Sequence, residues 1–348
     1  MKAIQKSWIL IFALFMFVCI LVGCSSDTNS KTAEEKIDGA QEPVIMKFAT
    51  ESTDADTLSQ AFRYWAELVE EKTDEVEFEF HYNGSVGTNT ELMDAMLMGE
   101  DYIIVADPSY FKDWVPEWDI SCGPYFLEEE SDYLLLTQTE WWFDQVQQLE
   151  DAGFILMGGD FLYSYRQILA DREIRNPDDL SGVKMRVPTT DLSIAMAECM
   201  GAVATPLPFS EMFTALSSKT INAVENPIST LYNAKLHDAA KYLNLTNHQE
   251  MLITYICGAQ TWEKLSEECQ NIILECGKEA ADYYNNTLLK SAEEECLEAM
   301  IEEGLIIVDD VDIDAFKASC ETIYDGKTIP EWPAGLRDEI VAQVEALK

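Results

Sequence analysis

Basic residues are scarce in this sequence: 23 Lys+Arg stand against 64 Asp+Glu in 348 residues, for a formal net charge of −41. A nucleic-acid partner requires a cationic footprint that displaces counterions, and this surface repels phosphate. A polybasic membrane-surface protein is excluded for the same reason. Histidine is scarcer still, and His81, His237 and His248 are too scattered for a typical zinc site. The chain contains no CxxC, no HExxH, no P-loop and no GxGxxG after a strand. The nearest approach to a GxSxG elbow, Asn83-Gly84-Ser85-Val86-Gly87, lacks the first glycine. No motif recurs at the roughly 20- to 50-residue period of solenoids and propellers. Carboxylates are so numerous that some pair always resembles a glycosidase dyad, so that pattern discriminates nothing.

What is present is material for a core. Hydrophobic residues make up 47% of the chain and aromatics 11%, which excludes disorder despite the charge. At about 150 residues per domain, the length corresponds to roughly two domains.

The N-terminus reads as a processing segment rather than as part of the fold. Lys2 and Lys6 precede an apolar run over residues 8–22, which ends in Leu21-Val22-Gly23-Cys24. That run falls short of the ~20 residues of a membrane span. The tetrapeptide resembles a bacterial lipobox, so residues 1–23 are expected to be a lipoprotein signal peptide and Cys24 the lipidated residue. Residues 24–43 then form a polar, lipid-anchored tether, which attaches the protein to a membrane without crossing it. Of nine cysteines, seven lie beyond Cys24. An odd number cannot pair completely within one chain, and buried free thiols are expected.

The remaining pattern alternates strand and helix. Val44–Ala49 reads as a strand, followed by Leu58, Phe62, Trp65 and Val69 at helical spacing. Val76, Phe78 and Phe80 alternate with acids, residues 91–98 form a short amphipathic helix, and Tyr102–Ala106 is a buried strand. This order argues α/β with mostly parallel sheet. A second set begins near Phe154, with strands at residues 154–157, 163–169, Lys184–Val187 and Ala223–Asn226. Ser210 is a helix-starting residue for 211–216. A continuous helix over residues 266–303 would reach roughly 55 Å, more than one small domain spans. It therefore reads as one kinked helix or two in series lying across both lobes, with Gly277 as a candidate break. Residues 304–308 give a late strand.

Several segments together resemble the solute-binding proteins of tripartite ATP-independent periplasmic (TRAP) transporters, the DctP-like family. The densest match contains Arg166, Asn176-Pro177-Asp178-Asp179-Leu180-Ser181-Gly182, Lys184-Met185-Arg186-Val187-Pro188, Phe209-Ser210-Glu211 and Glu225-Asn226-Pro227. Upstream, His81-Tyr82-Asn83 lacks the family's proline and Val86 replaces its leucine. The likeness covers residues 44–325 and implies a two-lobed, periplasmic-binding-protein-like α/β fold (type II-like) with a long helix spanning both lobes. Lobe I is expected at 44–162 plus about 252–290, and lobe II at 163–251 plus about 291–348.

The resemblance also implies a role for particular residues. Arg186 matches the arginine that clamps the ligand carboxylate, a task suited to a planar fork of donors. Arg166 matches a second arginine, Asn226 a ligand-facing amide and Phe209 a stacking aromatic. Asp107 and Glu51 follow strands at the cleft mouth, where α/β sheets bind ligands. Thr88, Asn89 and Thr189 complete the candidate set. Acids facing an anionic ligand favour a hydroxylated monoacid, such as a sugar acid, over a bare dicarboxylate.

The expected protein is thus an extracytoplasmic, lipid-anchored monomer without cofactor or metal, delivering an organic acid to the integral membrane subunits of a TRAP permease. Rival readings are a receptor for an ABC importer or sensor, a surface carbohydrate-active enzyme, and a structural lipoprotein.

Overall fold

The computed structural model describes Glu42–Lys348. The expected signal peptide, the lipidated Cys24 and nearly all of the tether lie outside the described residues. Eleven strands form two sheets. They are β1 (Val44–Ala49), β2 (Val76–His81), β3 (Tyr102–Ala106), β4 (Phe154–Leu162), β5 (Arg166–Ala170), β6 (Lys184–Val187), β7 (Val203–Pro206), β8 (Ala223–Asn226), β9 (Tyr242–Gln249), β10 (Leu252–Gly258) and β11 (Ile306–Val308). The first sheet runs β2-β1-β3-β10-β4 and the second β11-β9-β5-β8-β6-β7.

The sheets are mixed rather than mostly parallel. β1, β2 and β3 are parallel, as are β6, β7 and β8, but β10 runs antiparallel to β3 and β4. In the second sheet β5 runs antiparallel to both β8 and β9. The cause is the connectivity. The chain leaves the first sheet at Leu162, enters the second at Arg166, and returns between Gln249 and Leu252. Each crossing strand passes straight from one sheet to the next with no helical crossover, and a direct passage of this kind is compatible with antiparallel pairing.

Helices cover the sheets with apolar faces. The helix Thr57–Glu70 buries Leu58, Ala61, Phe62, Trp65 and Val69, three and four residues apart, against the first sheet. A long helical run makes the third connection between the sheets. Glu267–Tyr283 packs on Thr57–Glu70 and β4, whereas Leu289–Glu302 packs on Ile228–Asn233 of the second lobe. The regular α-helix gives way at a π-turn, Tyr284–Leu288, and not at Gly277, which sits inside the first segment. The Asn285 amide occupies this turn, donating to Asp160 O at 2.7 Å and accepting from Leu162 N at 3.0 Å. The turn is thereby pinned beside the point where the chain crosses between sheets.

The C-terminal tail departs from its expected place in lobe II. Trp332 Nε1 donates to Asp119, Gln343 accepts from Trp141 N, and Lys348 pairs with Asp132. These partners all belong to the first lobe, so the tail returns to it. The seven cysteines of the described residues are free thiols, six of them buried. No helix among the described residues is long and apolar enough to cross a membrane.

Gly277 is a glycine because Trp65 lies against it: an added Cβ would stand 2.5 Å from the indole. That indole is held by its own hydrogen bond to Ile273 O at 2.9 Å and by the rings of Phe62 and Tyr255. Gly277→Ala should therefore destabilise the fold by roughly 1–3 kcal/mol, read as a lower melting temperature. An unchanged melting temperature would show that the helix can shift away.

Candidate functional site

Loops at the carboxyl ends of the parallel strands of both sheets converge on one cleft, the usual ligand position in α/β architectures. Glu51 follows β1, Asp107 follows β3, Phe209 follows β7, Arg186 lies in β6 and Asn226 ends β8. Antiparallel pairing of β5 with β8, with Gln167 opposite Asn226, brings Arg166 to the same end. The cavity they line is about 90 Å³. Seven of the nine residues expected from the sequence line it: Arg186, Arg166, Asn226, Phe209, Asp107, Glu51 and Asn89.

Thr88 and Thr189 do not. Thr88 caps the helix Asn89–Leu97, in a reciprocal box with Glu91 that turns its hydroxyl away. Thr189 follows Pro188 and faces a separate depression beside Lys112 and Asp191. Two tyrosines that line the cleft were missed, Tyr110 and Tyr163. Tyr110 sits in a short 3₁₀ turn without hydrophobic period. Tyr163 opens the matched segment, but only the fold reveals that it lies between the sheets.

The two arginines differ in their electrostatics. Arg166 is 4% exposed and Glu225 fully buried. Arg166 Nε and Nη2 both donate to the Glu225 carboxylate, Nη2 at 2.6 Å, and His248 Nε2 stands 3.4 Å from the same group. Burial alone would raise the Glu225 pKa, but the Arg166 guanidinium and the His248 contact outweigh it and hold it at about 2. Burial likewise keeps His248 below its ordinary value, hence neutral. Arg166 is therefore a neutralised cation whose guanidinium lies 5.3 Å from the Tyr163 ring centre.

Arg186 is 2% exposed and has one hydrogen bond, from Nε to Leu207 O at 2.9 Å. It has no ion pair among the described residues, and its guanidinium lies 6.0 Å from the Phe209 ring centre. Burial pulls its pKa below the usual arginine value. A buried, unpaired guanidinium costs free energy until an anion reaches it.

The polar groups around it are arranged for recognition. The Tyr163 hydroxyl donates to Asn226 Oδ1 at 3.1 Å, which fixes the amide so that its nitrogen remains a donor. Asp107 Oδ1 caps the turn Pro108–Phe111 through Ser109 N at 2.9 Å, leaving Oδ2 without a partner. Glu51 accepts from Asn89 N at 3.3 Å in its own lobe and from Phe209 N at 2.8 Å across the cleft. Lys112 also bridges the lobes, to Asp191 at 2.6 Å. The lobes are thus in contact beside the cavity. One other cluster, His237, Asp238 and Glu303, brings possible metal-ligand atoms within 4.8 Å. Two of its members are exposed carboxylates, and His237 Nε2 already pairs with Glu303 at 2.8 Å.

Removing the Glu225 charge leaves Arg166 buried and unpaired, so Glu225→Gln should cost about 3–5 kcal/mol of stability. Because the folded pKa is depressed, this contribution is present above the unfolded value of about 4.3 and disappears as pH falls towards 2. Melting curves of wild type and variant should converge in acid and separate near neutrality; a constant gap at all pH values would contradict the assignment.

Known proteins provide an independent comparison. Residues 48–329 match the family described as "Bacterial extracellular solute-binding protein, family 7" (DctP). A solute-binding protein of Roseobacter denitrificans is 30% identical over 241 residues, 69% of this chain and 73% of that one. A TRAP periplasmic solute-binding protein of Ochrobacterium anthropi, solved with bound L-fuconate, superposes with a TM-score of 0.82 at 29% identity. One from Actinobacillus succinogenes 130z, with bound L-galactonate, gives 0.82 at 28% identity. In both, 87% of this chain and 99% of the other are covered. With its two sheets, three connections and shared cleft, the chain belongs to the DctP family of extracytoplasmic solute-binding proteins of TRAP transporters.

Proposed function

We propose that the cleft captures a hydroxylated monocarboxylate, a sugar acid of the aldonate or uronate class, and presents it to a TRAP permease without chemical turnover. The observation that carries this reading is the buried, unpaired Arg186. A carboxylate gives its free donors a bidentate partner, and such charge-assisted pairs are the strong ones. Of the two cleft arginines, Arg186 is the one without an ion pair among the described residues, because Glu225 neutralises Arg166. That charge balance favours a monoanion over a dicarboxylate. Glu51 and Asp107 would repel a second carboxylate but accept hydrogen bonds from hydroxyls. The L-galactonate and L-fuconate bound by the similar proteins have this composition. The reading includes a lipid anchor at Cys24 and a monomeric receptor, both expected from the sequence.

Binding is coupled to closure. Arg186, Phe209 and Asn226 come from one lobe and Glu51, Asp107 and Asn89 from the other, so a ligand touching both stabilises the closed arrangement. Asn89 and Phe209, whose backbone N–H groups share the Glu51 carboxylate, are the points through which closure is sensed.

A ligand at 100 times its dissociation constant should stabilise the protein by about 2.7 kcal/mol. A thermal-shift screen of aldonates, uronates, succinate and malate should show this effect for the sugar acids. Arg186→Ala should weaken binding by about 2–5 kcal/mol and leave the ligand-free protein at least as stable as wild type, since a desolvated charge is removed. Tight succinate or malate binding with no response to sugar acids would overturn the reading, as would product formation from a bound sugar acid.

A further inference from the structure

A second cavity, of about 340 Å³, shares no lining residue with the ligand cleft. That volume is within the range of small-molecule sites, about 300–1,000 Å³. Its walls come from three parts of the chain: Tyr125 and Tyr133 of the first lobe, Tyr165 and Glu250 of the two segments that cross between sheets, and Lys317 and Arg337 of the C-terminal tail.

Glu250 is the unusual member. It is 1% exposed, and its Oε1 accepts from Tyr163 N at 3.1 Å and Met251 N at 3.0 Å. Both bonds hold crossing segments, so its position is fixed by the hinge. Its Oε2 is buried and has no hydrogen-bond partner. A buried oxygen left in this state costs free energy, and its presence calls for a partner.

The surroundings select the sign of that partner. Glu128 lines the cavity, and the neighbouring Glu130 lies close enough to act on the Glu250 carboxyl. Burial, reinforced by Glu130, pushes that carboxyl well above its ordinary range. The Tyr165 hydroxyl is raised to about 12, first by burial and then by the acids around it, Glu250, Glu130, Glu129 and Asp132. On the opposite wall Arg337 is already engaged. Arg337 donates to Tyr125 O, Phe126 O and Glu321, with its guanidinium 4.5 Å from the Tyr324 ring centre. Lys317 is exposed and its ammonium lies 5.9 Å from the Tyr125 ring centre. Tyr133 and Tyr165 are the two tyrosines of the cavity with no protein cation over their rings among the described residues.

We infer that this hinge cavity is a second ligand site, taking a small organic ammonium compound whose nitrogen pairs with Glu250 Oε2 and whose apolar body lies against Tyr133 and Tyr165. An ammonium brought to a carboxylate among aromatic faces gains both the charge-assisted hydrogen bond and cation–π attraction. Burial disfavours the ionised form of Glu250 and an ammonium favours it, so binding shifts the carboxyl towards ionisation and releases protons to the solvent. The site is independent of the sugar-acid reading and stands or falls by itself.

The test is calorimetry of the full folded domain with 2-phenylethylamine and, as a probe of equal ring but opposite charge, phenylacetate. The amine should bind saturably and release protons at pH 6, measured from the heats in phosphate and in Tris. Phenylacetate should give no heat. Glu250→Gln should abolish both the binding and the proton release. Tyr165→Leu, a change on the partly exposed wall, should weaken binding several-fold and keep the proton release. Absence of amine binding to wild type, binding unchanged in Glu250→Gln, or preferential binding of phenylacetate would each overturn the inference. Far-ultraviolet circular dichroism of both variants separates a lost site from a lost fold.

Discussion

An arginine held out of water with no counterion is the constraint on which this structure turns. Isolating a charge in a protein interior is costly, and proteins normally avoid it by pairing. Here both solutions occur side by side. Arg166 is paired with Glu225 in a buried, bidentate contact, whereas Arg186, in the same cavity, has a single backbone carbonyl. The first arrangement is self-sufficient and gives the second lobe a rigid floor. The second is incomplete, and an anionic ligand completes it. The net charge of −41 is a property of the whole chain, while the cleft places one guanidinium without an ion pair, Arg186, beside Glu51 and Asp107. Distant acids are screened over about 8–10 Å in salt, so the local guanidinium governs what binds.

The rest of the fold can be read as the support for that site. Three connections join the sheets, two extended and one helical, and each is pinned by a side chain. Glu250 holds the extended pair through Tyr163 N and Met251 N. Asn285, in the π-turn, holds the helix to the end of β4. Glu293 accepts from Ile228 N and Ser229 N, tying the far half of the long helix to the second lobe. A π-turn inside a helix often marks a functional position, and this one falls where a closing motion would bend the chain. In the proposed reading, lobes joined by three anchored segments close as bodies when a ligand contacts both.

Much of this was legible in the sequence, and the failures have physical causes. The strands Lys184–Val187 and Ala223–Asn226 could be read because Pro188 and Pro227 stop them. β9 and β10 could not. β9 buries Asn244, Thr246, His248 and Gln249, polar side chains whose partners are supplied by neighbouring segments, and so shows no alternation. All seven residues of β10 are buried, which erases the two-residue period as well. Because these strands carry the return crossing, the mixed character of both sheets was hidden with them. Seven of the nine candidate ligand residues converge because motif positions at strand ends are local features. Tyr110, the pairing of Arg166 with Glu225 and the return of the tail to Asp119 depend on contacts far apart in the chain. No local pattern encodes them.

The account rests on the claim that the cleft is built around an uncompensated positive charge. Paired calorimetric titrations with L-galactonate and galactitol test it most directly, since the two differ chiefly in whether the chain of hydroxyls ends in a carboxylate. The account predicts saturable binding of L-galactonate and no measurable heat from galactitol. Comparable binding of the uncharged polyol would show that hydroxyl contacts, and not Arg186, determine what the cleft holds.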